Sequence, residues 1–525
     1  MANHDFHPED LLDCPFDTLP QLIRQHAAAR PAHPALIQDS NALSYAELDA
    51  LMDRVAAALQ RDGLQPRDAI AICASTSLPY AATFLGALRA GVAVAPLAPS
   101  SSADSLATMA ADADARLLFV DAAVAQALVP VRERIAARII ALDGSAATTH
   151  FDDWLAAPGT QPAPVGIQPD WPFNIIYSSG TTGAPKGIVQ PHSMRWAHVQ
   201  RASLNGYGPD AVTLISTPLY SNTTLVSFFP TVALGGTAGL MAKFDAGAYL
   251  ALAARHRVTH TMLVPVQYQR IMARPDFGDY DLSSFRMKFC TSAPFSAALK
   301  ADILKRWPGG LIEYYGMTEG GGTCMLAAHE HPDKLHTVGQ PAPGHDIRLI
   351  DDAGREAAPG ELGEVVGHSP GMMAGYHKQP GKTAEAEWYD ANGKRFIRTG
   401  DVGRFDADGF LTLLDRKKDM IISGGFNVYP SDLESVLREH PDVAEAAVVG
   451  VPSTRWGETP VAFVVPREGS AADAAGIQQW ANDKLGKTQR LAAVELTDVL
   501  PRSPIGKVLK RELRDRFAAV RPALD

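Results

Sequence analysis

Short unbroken apolar runs alternate along the first two thirds of this chain with longer stretches whose apolar positions recur at helical spacing. Ala69–Cys73, Val92–Pro96, Leu117–Val120, Arg138–Leu142 and Asn174–Tyr177 read as strands buried on both faces. Between them, Leu19, Leu22, Ile23 and His26 line one side of a helix over 16–29. Ser44, with Glu47 three residues on, forms a capping box ahead of a helix carrying Leu48, Leu51, Val55, Ala58 and Leu59 on one face. Leu78–Arg89 is a further helix, stopped at Ala90-Gly91. The rhythm resumes with strands at 212–215, 237–241, 260–264, 287–290 and 312–315 and helices at 246–255 and 296–305. Such alternation implies an α/β fold of stacked, mostly parallel sheets covered by helices.

From about 345 the pattern shortens to strands such as 346–350 and 364–366, a small β subdomain. A charge run, Arg416-Lys417-Lys418-Asp419, then marks a boundary. Beyond it come a helix at 431–440, strands at 446–449 and 461–465, and helices at 472–485 and 506–518. The expected division is an N-terminal domain over 1–415 and a smaller α+β C-terminal lid over 419–525, hinged near 416–418.

Composition adds limits. A chain of 525 residues is long enough for several domains, and 46% hydrophobic with 20% charged residues is ordinary for a globular protein. A net charge of −10 argues against nucleic acid as partner. Four scattered cysteines without a CxxC suggest neither a zinc site nor a disulfide framework. The most apolar region, 211–242, is interrupted by Pro218 and Pro230 and fails as a membrane span. No basic and apolar leader pattern opens the chain, so a cytoplasmic location is expected.

Chemistry concentrates in Tyr177-Ser178-Ser179-Gly180-Thr181-Thr182-Gly183-Ala184-Pro185-Lys186-Gly187. Glycines let backbone N–H groups approach an anion, hydroxyls donate, and Lys186 supplies a point charge for phosphate. It is no Walker loop, because Gly187 follows Lys186 where Ser or Thr is required. A second cluster, Glu313-Tyr314-Tyr315-Gly316-Met317-Thr318-Glu319, sets an aromatic face, a hydroxyl and a hard oxygen ligand at the end of a strand.

These two stretches, in this order, resemble the signature motifs of the adenylate-forming superfamily, in its acyl- and aryl-CoA synthetase branch. The resemblance extends through Thr291-Ser292-Ala293-Pro294, Arg398-Thr399-Gly400-Asp401, Asp415-Arg416-Lys417-Lys418, Ser423-Gly424-Gly425-Phe426 and Pro504-Ile505-Gly506-Lys507. It implies a loop holding the β- and γ-phosphates of ATP, with adenine between Tyr315 and the Ser292–Pro294 turn. Thr318 would contact the α-phosphate, Glu319 would hold Mg²⁺, and Asp401 would bind the ribose. Arg416 would reach the ribose or phosphates, and Lys418 would be the hinge of a mobile lid. Gly424, Gly425 and Phe426 would line the path of coenzyme A, and Lys507 would bridge carboxylate and α-phosphate. The implied reaction is ligation of a carboxylic acid to CoA through an acyl-adenylate. A stand-alone adenylation enzyme loading a carrier protein would share these motifs, and a non-catalytic nucleotide-binding protein is the other alternative. Assembly is open, with a homodimer among the expectations.

Position in the family pattern assigns Tyr220, Ser221, Asn222, Val226, Val264, Thr291, Gly320 and Gly321 to the acid pocket. Many acyl- and aryl-CoA synthetases have His where this chain has Ser221. Residues 219–227 hold no carboxylate for a substrate amine, which disfavours amino acids. Residues 212–242 hold no Lys or Arg, so a second substrate carboxylate would lack a partner there. The expected substrate is an aromatic or polar monocarboxylic acid of small to medium size, with open space beside the glycines after Glu319.

Overall fold

The Ser44 hydroxyl accepts from the Glu47 amide at 3.3 Å, and the Glu47 carboxylate accepts from the Ser44 amide at 2.8 Å. Two otherwise unpaired donors are thereby satisfied, and helix Tyr45–Arg61 starts where the sequence places it. The computed structural model describes residues 8–144, 149–177, 186–423, 426–470, 473–486, 489–502 and 507–520. Its contacts divide the chain into two packing units. The first comprises Met1–His336, Pro341–Asp346 and His368–Ile397, and the second comprises Thr337–Gln340, Ile347–Gly367 and Arg398–Asp525. By packing, most of the small β region therefore groups with the C-terminal part, whereas the expected boundary at 416–418 is one of motion and stays a proposal.

The first unit holds two sheets. One runs in the order Gly375–Tyr376, Gly187–Pro191, Pro172–Tyr177, Ala93–Pro96, Ala69–Cys73, Ala115–Val120 and Arg138–Ala141. We label Pro172–Tyr177 β1 and Gly187–Pro191 β2. These two pair antiparallel, as does Gly375–Tyr376 against β2, while the rest of the sheet is parallel. The glycine-rich loop thus lies in a hairpin connection, with Tyr177 opposite Gly187, and not in a strand-to-helix crossover. The second sheet runs Gln340–Pro341, Thr323–Ala327, Gly310–Gly316, Met287–Cys290, His260–Leu263, Val212–Ile215, Thr237–Leu240, Pro34–Gln38 and Asn41–Ser44. Its central pairings are parallel, while Gly310–Gly316 with Thr323–Ala327 and Pro34–Gln38 with Asn41–Ser44 pair antiparallel. We label Gly310–Gly316 β3.

Helices Tyr45–Arg61, Leu78–Arg89 and Asn222–Ala233 join side chains of both sheets into one apolar core, from Ile70, Val94 and Phe119 to Leu36, Ile215 and Ile312. Several of the unit's helices were not read from the sequence, among them Ala103–Asp112 and Pro265–Met272; two bear on the site, α1, His192–Ser203, and α2, Asn222–Ala233. In the second unit an antiparallel pair, Val443–Ser453 and Gly457–Pro466, carries apolar clusters on two faces. One includes Leu433, Leu437 and Ile477, and the other Leu513 and Phe517.

Gly86 marks the tightest helix contact in the core. A β-carbon there would stand 2.5 Å from Val55 Cβ on the neighbouring helix. Alanine gains about 1 kcal/mol of helix propensity, but overpacking a filled core costs about 1–3 kcal/mol. Gly86→Ala should therefore lower the denaturant midpoint, and adding Val55→Gly, which removes the opposing β-carbon, should relieve the clash. A rise in the midpoint for the single variant would show that the helices separate freely.

Candidate active site

Three segments of the first unit meet where the sequence motifs converge. Glu319 follows β3, Lys186 precedes β2, and residues 369–377 run beside both. Tyr376 adds to the edge of β2 opposite Ile188, and the His377 amide donates to the Gly187 carbonyl at 2.7 Å. The Tyr376 hydroxyl donates to Glu319 Oε1 at 2.9 Å, and the Lys186 ammonium stands 4.9 Å from the centre of the Tyr376 ring. Burial and the Glu319 carboxylate raise the Tyr376 phenol above its ordinary pKa, so it stays a donor. The Met373 amide donates to the Glu319 carbonyl at 2.8 Å, and Ser369 Oγ to the Gly320 carbonyl at 2.7 Å. Tyr376, Met373 and Ser369 carry no motif and were not among the expected site residues.

A second network ties the loop hairpin to the strand end. Asn174 and Gln190 face each other across β1 and β2, and Asn174 Nδ2 donates to Gln190 Oε1 at 2.8 Å. Gln190 Nε2 donates to the Thr318 carbonyl at 2.6 Å and to Asn222 Oδ1 at 3.3 Å. Arg195 of α1 enters the same ladder, donating to Asn174 Oδ1 at 3.1 Å and to Asn222 Oδ1 at 2.9 Å. This fixes the Thr318 backbone from behind and anchors Asn222 at the first turn of α2.

The turn at 291–294, expected to face adenine, shows a local strain. Ser292 has φ +83°, a left-handed backbone rare for a non-glycine residue. Its hydroxyl meets that of Thr223 at 2.5 Å, which ties the turn to α2 next to Asn222. Ala293 and Thr291 are half-buried, and Pro294 is exposed. Tyr315 is half-buried, Gly316 is exposed, and Met317 packs against Ile188, Met373 and Tyr376. Glu313 is buried, its carboxylate ion-paired with buried Lys300, and burial lifts its pKa to about 7.

Of the acid-pocket residues, Ser221 and Val264 are buried, while Tyr220, Asn222 and Val226 are half-buried. The expected open space at the glycines is not found at Gly320. A β-carbon there would lie 2.2 Å from the Gly371 carbonyl and 2.8 Å from Met194 of α1, and φ is +74°. Gly320 is a close-approach glycine, and Gly321 is buried beside it.

In the second unit Asp401 and Arg416 are cross-strand partners, with Arg416 Nε 3.3 Å from Asp401 Oδ1. The two residues expected to bind ribose are thus adjacent. Lys418 is exposed, yet partial desolvation lowers its pKa, with Arg416 adding to the effect. Phe426 and Lys507 are exposed. Ser178, Ser179, Gly180, Thr181, Thr182, Gly183, Gly424 and Gly425 lie outside the described residues.

No group of three or more His, Cys, Asp or Glu side chains gathers among the described residues as a metal cage. Glu319 fits a Mg²⁺ completed by substrate phosphates, since one oxygen meets Tyr376 and carboxylate capacity remains.

Lys186, which precedes β2, is thus held near the Glu319 carboxylate that follows β3, the arrangement expected of a phosphate site. The chain belongs to the AMP-binding enzyme family, whose pattern it matches over residues 23–377, with the AMP-binding enzyme C-terminal domain matched over 432–507. It is similar to a feruloyl-CoA synthase of Amycolatopsis sp, 34% identical over 501 residues that cover 94% of this chain and 98% of that protein. A fatty acid–[acyl-carrier-protein] ligase, ScoC of Streptomyces coeruleorubidus, is also 34% identical, over 95% of this chain and 96% of its own. Among solved structures, ATP-bound MatB from Rhodopseudomonas palustris superposes with a TM-score of 0.85 at 28% identity, covering 96% of this chain and all of that one.

The Tyr376 link makes a direct prediction. A hydrogen bond to a charged group is worth about 1.5–3 kcal/mol, so Tyr376→Phe should lower kcat/KM for ATP by roughly tenfold or more. Tyr376→Leu, which also removes the ring beside Lys186, should lower it further. Pyrophosphate release at varied ATP measures both, and unchanged values for the phenylalanine variant would reduce the contact to packing.

Proposed function

We propose that this chain is an AMP-forming acid–thiol ligase that couples a carboxylic acid, aryl or of small to medium chain, to coenzyme A at the expense of ATP. The observation that carries the reading is the Lys186–Tyr376–Glu319 cluster set against Thr318, a phosphate-binding charge and a hard oxygen ligand on one wall. Family membership and the matched C-terminal domain that ends at Lys507 support it.

In the first half-reaction the substrate carboxylate attacks the α-phosphorus, the new P–O bond forms, and the bond to pyrophosphate breaks. Lys186 balances charge on the departing phosphates, while the Thr318 hydroxyl and the Lys507 ammonium meet charge at the α-phosphate and the incoming carboxylate. Such transfer depends on positioning and electrostatics more than on covalent help. Asp401 accepts from the vicinal ribose hydroxyls, with Arg416 beside it. Glu319 would hold Mg²⁺, whose chemistry is neutralisation of phosphate charge. In the second half-reaction the CoA thiol attacks the acyl carbonyl and AMP leaves. The cofactor brings the thiol, in keeping with buried Cys73, Cys290 and Cys324, whose thiols burial holds high. The hinge for the change between half-reactions is proposed at 416–418, and the location as cytoplasmic; no helix among the described residues is long and apolar enough to cross a membrane. A homodimer is the simplest assembly for a sizing experiment to test.

The similarity to ScoC favours one second reading, in which the acceptor is a phosphopantetheinylated carrier protein. Comparing CoA with such a carrier as acceptor separates the two. Lys507→Ala should lower adenylation ~10²–10³-fold, as expected for loss of one charge-stabilising donor, and spare thioester formation from supplied acyl-AMP. Equal losses in both half-reactions would remove Lys507 from this role. Lys418→Pro should do the reverse, since proline fixes φ near −65° and locks a hinge that needs two states. Rapid-quench assays should then show acyl-AMP building up while thioester lags; normal rates for both place the hinge elsewhere.

A further inference from the structure

One side of α1 is cationic and has no counter-charge among the described residues. Arg195, His198 and Arg201 follow one another at three-residue spacing along it, and His345 lies against them. Arg195 is 1% exposed, and every acceptor it meets is a neutral amide of Asn174, Gln190 or Asn222. Its Nη1 has no partner. Arg201 Nη1 stands 2.7 Å from His345 Nε2. Guanidinium can only donate, so that imidazole nitrogen accepts, and the proton of neutral His345 sits on Nδ1. That Nδ1 is buried and unpartnered, as is Nδ1 of His198. Burial and the neighbouring cations keep both imidazoles neutral, His345 at about 4 and His198 well below its ordinary value. Among the described residues, no carboxylate pairs with Arg195 or Arg201; burial lowers the pKa of both, and at Arg201 the Tyr314 phenol acts against it.

A buried guanidinium, Arg195, and a half-buried one, Arg201, with neutral surroundings are costly, and natural proteins pair such charges. An unpaired donor costs about 1–3 kcal/mol more. Here three such nitrogens fall on one cluster, which adjoins the acid pocket: Arg195 bonds Asn222, Met194 touches the position of Gly320, and Asn205 beyond α1 donates to the Tyr314 hydroxyl at 3.4 Å. A single carboxylate would offset one of the two charges and accept from Arg195 Nη1 and the protonated Nδ1 of His345. Resting on the ligase reading, we propose that the cluster of Arg195, His198, Arg201 and His345 is an anion subsite at the far end of the acid pocket. The acid activated there carries a second carboxylate remote from the reacting one. The lack of cations in 212–242 does not exclude such a substrate, because the cations come from α1.

The test compares size-matched acids by pyrophosphate release: terephthalate with 4-methylbenzoate, and adipate with heptanoate. The wild type should favour the dicarboxylate by roughly tenfold or more in kcat/KM in at least one pair, a margin that pairing or stranding polar groups readily provides. Arg201→Gln should remove that preference through KM for the acid and leave KM for ATP in place. A merely structural role would instead lower turnover of both acids together with the melting temperature. If Arg201→Gln does not fold, the wild-type ratios decide. Equal or better use of the neutral acid in both pairs overturns the subsite and leaves the ligase reading intact. Absence of pyrophosphate with all four acids counts against the ligase reading, and the subsite falls with it.

Discussion

One phenolic hydroxyl donated to one carboxylate joins the two sheets of the first unit at their functional ends. Lys186 belongs to the sheet that carries the hairpin, and Glu319 to the end of a strand in the other sheet. Tyr376 reaches both, its ring beside the ammonium and its hydroxyl on the carboxylate. The bond is stronger for being charge-assisted and set among half-buried groups. The edge pairing of Gly375 and Tyr376 with Val189 and Ile188 holds the ring there, so a two-residue strand decides where the phosphate-handling charges stand.

The sheets were legible because their strands are apolar on both faces and their helices amphipathic, as Ser44, Glu47 and the Leu48–Val55 face illustrate. Where that logic fails, the helices were unread. The inward face of α1 presents Met194 and Val199 together with Arg195, so no apolar stripe appears in the sequence. Helix α2 is buried nearly all round, mixing Leu225, Phe228 and Val232 with Thr224, Ser227 and Thr231. Its internal Pro230 reads as a break, yet the Leu234 amide still donates to the Pro230 carbonyl and the Thr231 hydroxyl to the Ser227 carbonyl. Tertiary burial outweighs local propensity there.

The candidate site divides along the same line. Residues that lie in a local motif, such as Thr318, Glu319 and Asp401, could be nominated through the family resemblance. Those that position them could not. Gln190 is one polar residue within an apolar strand, and its role depends on Asn174 opposite and Thr318 beyond. Expecting free volume at Gly320 failed for a similar reason: a glycine run shows that the backbone is tightly placed and leaves open whether space or a neighbour lies alongside. Here the neighbours are Gly371 and Met194.

The side chain of Gln190 touches Asn222 on the acid side and the Thr318 carbonyl on the nucleotide side with the two hydrogens of a single amide group. That group is planar and fully buried, so it cannot tilt toward one partner without moving relative to the other. A ligand that shifts Asn222 therefore acts on the Thr318 backbone, and one that draws on Thr318 acts on Asn222. By reciprocity the two effects are equal in free energy. Gln190 thus links the residue expected to meet the acid to the backbone expected to meet the nucleotide, so ligands at the two would be coupled through one side chain.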